Sequence, residues 1–282
     1  MIESLSWITR GLFSLSTLFC AGTVFLIFTT ASQLPHQIVR LRRFCGYAAI
    51  VSLCLAALWW LSLVLEFGGE WNALSDPYYY ELLASSAASE LLLWRVVALL
   101  GLLFYARNTA APHGVAVVFS LIAIFSFTRY GHALSDPQWL RTLLLTVHLS
   151  IIAWWFAVVP TLLTLLSQAP SSAIELADRF SRQASIAVPV ALLCGLGFAL
   201  ITLSSDDWDF QSLYAKTLVL KLLLVSCVLG IGALNRHYLS SHHRINPLQN
   251  KKTLQKALIL DAVLFVSIIL LSAWLTGPAS NG

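Results

Sequence analysis

The run GLFSLSTLFCAGTVFLIFTTASQLPHQIV, from Gly11 to Val39, contains no Asp, Glu, Lys or Arg. A second run, TLLLTVHLSIIAWWFAVVPTLLTLLSQAPSSAI from Thr142 to Ile174, contains none either. A helix needs about 20 apolar residues to cross a bilayer, and both runs exceed that. Their Pro and Gly residues do not argue against helix, because membrane helices tolerate both. The rest of the chain agrees. Of 282 residues, 58% are hydrophobic and only 11% are charged, where a soluble domain carries about 25% charged residues. So few charges could not cover a soluble protein of this size. The expected fold is all-α: a polytopic membrane helical bundle of about eight transmembrane helices.

Read by apolar runs, the eight segments are Leu5 to Ala31, Phe44 to Phe67, Ala84 to Ala106, His113 to Tyr130, Trp139 to Leu166, Gln183 to Ser204, Leu213 to Leu234 and Lys256 to Thr276. The third carries Glu90 and Arg95 and is the least apolar in character. Connections are short, so no soluble domain is inserted. The chain divides into a three-helix half over 1–112 and a five-helix region over 113–282, within one continuous membrane domain. Met1-Ile2-Glu3 has no basic residue ahead of the first apolar run, so that run reads as a retained span rather than a cleaved signal peptide.

Charge placement predicts orientation. Arg40, Arg42 and Arg43, then Arg107, then Arg179 and Arg182, then Arg236, Arg244, Lys251 and Lys252 fall on one side of the alternating segments. Glu70, Asp76 and Glu81, then Asp136, then Asp206, Asp207 and Asp209 fall on the other. Cytoplasmic loops are enriched in Lys and Arg. Both termini are therefore expected outside, in the periplasm of a Gram-negative cell. The net charge of +4 is read as topology, and no nucleic-acid partner is expected; membrane lipid is. Trp71, Trp139, Trp208 and Trp274 lie near predicted outer ends, where indole rings favour the interface. The Trp59-Trp60 and Trp154-Trp155 pairs lie within spans, lining the interior or packing helices together.

No soluble-enzyme signature is present. The chain has no Gly-Lys dipeptide and so no Walker A loop, no HExxH and no GxSxG. Attention falls instead on polar groups in or beside spans, which are costly in hydrocarbon. His132 lies in Tyr130-Gly131-His132-Ala133 at the end of the fourth segment, and His148 lies in the fifth. Neutral imidazole ligates copper, zinc and haem iron. The alternatives are a solvated interfacial histidine at 132 and a hydrogen-bonded core histidine at 148. A shared metal requires both rings at about one depth. Arg10, Glu66, Arg129 and Lys216 are near ends and could snorkel. Glu90 and Arg95 are further polar groups in the third segment, and Lys221 and Asp261 are the deeper ones, which need separate partners because their depths differ. Asn235-Arg236 ends the seventh segment, where a cation favours the helix C-terminus.

The five cysteines form no CxxC pair and no zinc-ligand spacing. Thiolates prefer Cu(I), but free cysteine is also a small core hydrophobe, and no sequence spacing pairs Cys20, Cys54, Cys194 or Cys227. His237, His242 and His243 read as solvated loop residues.

From Tyr130 onward the chain resembles the copper resistance protein D (CopD) family of bacterial inner-membrane proteins. The residues that carry the resemblance are Gly131-His132, His148, Ala153-Trp154-Trp155, Pro160, Lys221-Leu222-Leu223-Leu224, Asn235-Arg236 and Asp261 in Leu260-Asp261-Ala262. Arg10 and Trp94 agree in the first half. Three positions depart from the family pattern. Ala157-Val158 stands where the family has Gly-Gly, Phe13 stands where it often has a first-helix histidine, and Asp261 stands where it usually has Glu. The resemblance implies copper as the ion handled, moved from periplasm to cytoplasm, with His132 and His148 as ligands and a periplasmic CopC-like copper-binding protein as partner. The alternatives are a b-type haem electron-transfer protein, with haem b between histidines, and a non-transporting assembly or sensor subunit.

Overall fold

The computed structural model describes residues 2–31, 35–129, 138–203, 213–242 and 247–275. All regular structure among them is helical. The helices are α1 (Ile2–Thr30), α2 (Pro35–Gly68), α3 (Pro77–Ala84), α4 (Ala87–Arg107), α5 (His113–Phe125), α6 (Gln138–Gln168), α7 (Pro170–Leu203), α8 (Leu213–His242) and α9 (Pro247–Leu275). Short 3-10 turns cover Trp71–Ser75 and Ser126–Arg129.

Proline and glycine mark the boundaries. Pro35, Pro77, Pro170 and Pro247 each open a helix, where a missing N–H costs nothing and φ is already helical. Gly69 ends α2 in the left-handed region, at φ 72°, and its N–H donates to the Leu65 carbonyl at 2.9 Å. A residue with a Cβ would be strained there. Asp76 caps α3 by accepting from the Tyr78 N–H at 2.9 Å. The acidic connection after α2 is thus a structured turn and a short helix rather than a plain loop.

Among the described residues, seven helices are long and apolar enough to cross a membrane. The eighth expected segment is the shorter apolar helix His113–Thr128. Its α-helical part spans about 20 Å, and the following 3-10 turn adds about 8 Å, close to the ~30 Å of a bilayer core. The chain is a multi-pass membrane protein. Its surface fits hydrocarbon: Phe28, Tyr47, Leu93, Ile186 and Leu193 are all exposed, an apolar surface that water would not tolerate over so large an area.

The helices overrun the predicted segments on the basic side. Arg40, Arg42 and Arg43 lie in the first turns of α2, and Arg179 and Arg182 lie within α7. Only Ala169 separates α6 from α7. The expected loops there are helical because their Ala, Leu, Glu and Arg residues are strong helix formers, and apolar content alone misses such extensions.

α1 is the hub, packed against α2, α5, α6 and α9. Gly22 lets α1 meet α6 closely: a Cβ there would overlap the Ala153 carbonyl, the small-residue contact typical of membrane helices. Four arginines then tie helix ends together. Arg10 donates to the Ala273 carbonyl near the end of α9, and Arg179 donates to the Thr29 carbonyl at the end of α1. Arg141 donates to the Ile201 carbonyl near the end of α7 at 3.0 Å. Arg42 donates to the Tyr105 and Asn108 carbonyls at the end of α4, at 3.1 and 2.6 Å, and to Ala111 at 2.9 Å. The last carbonyls of a helix have no partner within it and carry its negative dipole end, so a neighbouring guanidinium satisfies both.

Candidate functional site

The face that carries the acidic connection after α2 also bears the N-termini of α1, α6 and α8 and the C-terminus of α9. At 1.5 Å per residue, His148 lies about 15 Å along α6 from that face, Lys221 about 12 Å along α8 and Asp261 about 21 Å along α9. His148 and Lys221 therefore share a level, and Asp261 is deeper.

His148 is half-buried on the side of α6 that meets α7. Its Nδ1 lies 2.7 Å from the Ala191 carbonyl oxygen. A carbonyl only accepts, so the ring proton is on Nδ1. In the neutral ring the Nε2 lone pair is left for a ligand, the arrangement in which a backbone carbonyl orients a metal-binding imidazole. Gly195, one turn on from Ala191, makes room for the ring: a Cβ at 195 would stand 2.9 Å from the imidazole. Lys221 lies within electrostatic range of the ring.

Asp261 is 4% exposed, and its Oδ1 has no hydrogen-bond partner among the described residues. A buried carboxylate oxygen in that state is costly. Asn235 and Arg236 lie in the last turns of α8, and their side chains fall outside the described residues. So does His132, with Tyr130 and Gly131, and the separation of the two candidate imidazoles is not part of the described structure.

Arg10 and Arg95 belong to a different neighbourhood. Arg95 is 6% exposed. Its Nε donates to Ser126 Oγ at 2.8 Å, and its guanidinium lies 3.9 Å from the Phe127 ring centre and 5.0 Å from that of Phe13. Phe13 in turn packs on Trp59, with ring centres 5.8 Å apart. Position 13 is about 17 Å from the acidic face, a depth like that of His148, but its ring meets α2 and α4 whereas His148 meets α7. Arg10, expected to snorkel, is held at the end of α9 by the Ala273 carbonyl.

The in-span tryptophans pack helices. Trp155 lies against Phe180 and Phe265, at 6.1 and 5.4 Å between ring centres. Trp154 packs on Phe180 and donates from Nε1 to Thr29 Oγ1 at 3.3 Å. Arg141, just ahead of the charge-free run that begins at Thr142, is fully buried.

Cys20 and Cys45, both fully buried, stand with their sulfurs 3.6 Å apart. The helix ends account for it: Cys20 is ten residues before the end of α1 at Thr30, and Cys45 is ten residues after the start of α2 at Pro35. In an antiparallel hairpin, equal distances from the turn put two residues at one level. Cys54 and Cys227 are exposed on the apolar surface, and Cys194 is partly so.

Comparison with known families finds two matches that together span most of the chain. Residues 1–142 match "Copper resistance protein D-like, N-terminal domain", and residues 174–275 match "Copper resistance protein D". No curated protein and no solved structure matches. The second match holds Lys221, Asn235, Arg236 and Asp261, and the first holds Arg10, Arg95 and His132. With both parts of the family pattern present in order on one multi-pass chain, the protein belongs to the copper resistance protein D family, whose business is copper handling at a membrane.

Proposed function

We propose that this chain is a copper transporter of the bacterial inner membrane that moves the ion from periplasm to cytoplasm. The observation that carries the reading is His148: an imidazole within a span, its Nδ1 fixed by a backbone carbonyl at 2.7 Å and its Nε2 left for a ligand. In this reading His132 is the second ligand. Asp261 offers a deeper carboxylate on the way inward, and Lys221, level with His148, holds anionic ligands or repels a second cation. Asn235 and Arg236 fix the inner end of α8. Arg10 and Arg95 hold the scaffold.

Uptake needs no nucleotide. With the interior negative, a monovalent cation gains about 2.3 kcal/mol per 100 mV on entry. The acidic connections would concentrate cations at the entrance, where a periplasmic CopC-like protein would deliver copper. The topology proposed with this direction puts both termini in the periplasm. Reporter fusions after Arg107 and Asn250 are expected to read cytoplasmic, and fusions after Asp76 and at Gly282 periplasmic; a cytoplasmic C-terminus would contradict it. Purified protein in liposomes tests the function itself. Cu(I) supplied outside should accumulate inside when an interior-negative potential is imposed, and collapse of the potential should slow it. No accumulation over empty liposomes would refute transport, and a Soret band in the purified protein would favour haem b instead.

A further inference from the structure

We propose that Cys20 and Cys45 form a second copper site, a two-sulfur Cu(I) site buried between α1 and α2 in the basic half of the membrane. The inference rests on the copper-handling reading above, and it deepens that reading by adding a site that none of the histidines contributes to.

The geometry is already close to that of a chelate. The two sulfurs are 3.6 Å apart, and the Cys20 Sγ also lies 3.4 Å from the Cys45 carbonyl. With metal–sulfur bonds of about 2.3 Å, that separation corresponds to an S–Cu–S angle of about 100°. Side-chain rotation that moves the sulfurs about 1 Å further apart gives a linear pair. A disulfide would need about 2.05 Å between sulfurs, so the two are free thiols in contact.

The donor set selects the ion. No group of three or more His, Cys, Asp or Glu residues that could hold a metal occurs among the described residues. Structural zinc takes four ligands, and two sulfurs alone do not supply them. Soft Cu(I) is suited to thiolate ligation. Binding breaks two S–H bonds and forms two Cu–S bonds, and two protons leave toward water. Copper stays Cu(I), so no oxidant or reductant is consumed. The product carries one net negative charge. Arg42 answers it: it is three residues before Cys45 on α2, a spacing that puts both on one helix face. Its hydrogen bonds go to the neutral carbonyls of Tyr105, Asn108 and Ala111, so its charge remains to balance the thiolates. The Arg42 guanidinium also lies 4.1 Å from the centre of the Tyr105 ring, which holds it at the end of α4.

The test uses full-length protein in detergent, reduced, anaerobic and loaded with Cu(I) alone. X-ray absorption at the copper edge should show Cu–S bonds in the wild type. Cys20→Ser and Cys45→Ser should each remove that signal and lower the Cu(I) affinity of the site at least tenfold. Cys54→Ser and His148→Ala should keep it. Wild-type protein that binds copper through nitrogen and oxygen only would overturn the dithiol site and leave the histidine reading standing. Wild-type protein that binds no copper would overturn both. Because the wild-type spectrum decides the first point, a serine variant that fails to fold does not weaken the test.

Discussion

The two sides of the bundle are built differently. On the α1 side, 67% of the apolar window of α1 is buried within the protein; on the other side the figure is 6% for α7 and 11% for α8. The buried side is held by arginine, aromatic and small-residue contacts: Arg95 between Phe13 and Phe127, Arg42 on the end of α4, and Gly22 against Ala153. His148 on α6, Lys221 on α8 and Asp261 on α9 lie toward α7 and α8, the two helices whose apolar windows are least buried. Interhelical packing is what orders membrane helices, since lipid is as apolar as their side chains. The better-buried side is the one with more interhelical contact to hold it together.

Substitutions can break this contrast. Arg95→Ala should have the largest effect on stability, a loss of about 3 kcal/mol from one charged hydrogen bond and two desolvated cation–π contacts. Its thermal midpoint should fall well below that of the wild type, while the folded fraction keeps its copper uptake. Normal stability with lost uptake would move Arg95 from scaffold to site. Arg179→Ala should be milder, about 1 kcal/mol, since it removes a cation from a helix C-terminus. Gly195→Ala should change stability least and function more. Its new methyl would meet the His148 ring at 2.9 Å, so uptake should fall several-fold at near-normal expression. Unchanged uptake would mean that the ring's seat on α7 does not matter.

The sequence made some of this legible and hid the rest for identifiable reasons. Apolar runs located the spans because hydrocarbon permits few charges over about 20 residues. They misplaced the helix ends at Arg40–Arg43 and Arg179–Arg182, where polar helix formers extend the helix beyond the hydrocarbon. The same arginines were read as topology signals. Charge pattern cannot reveal that Arg42 and Arg179 also satisfy carbonyls of a neighbouring helix, because that depends on which ends come together. His148 stood out as an imidazole in a charge-free run. Its orientation depends on Ala191 and Gly195, 43 and 47 residues further on, and nothing in one sequence links them. The Cys20–Cys45 pair was hidden because the apolar runs start the second segment at Phe44, one residue before Cys45, and only the helix start at Pro35 puts the two cysteines at one level. Phe13 matched a family position by its place after Arg10, yet only the packing of α2 and α4 reveals that its ring sits against Trp59 and Arg95.

The central claim is that copper passes by way of the His148 imidazole. The most direct measurement is the initial rate of Cu(I) uptake into liposomes under an interior-negative potential, for wild type, His148→Ala, His132→Ala and the double variant, each shown to be folded. One remaining imidazole leaves an incomplete coordination shell. All three variants should therefore transport at least tenfold more slowly than the wild type, and the double variant should be no worse than either single one. A wild-type rate in His148→Ala would contradict the account.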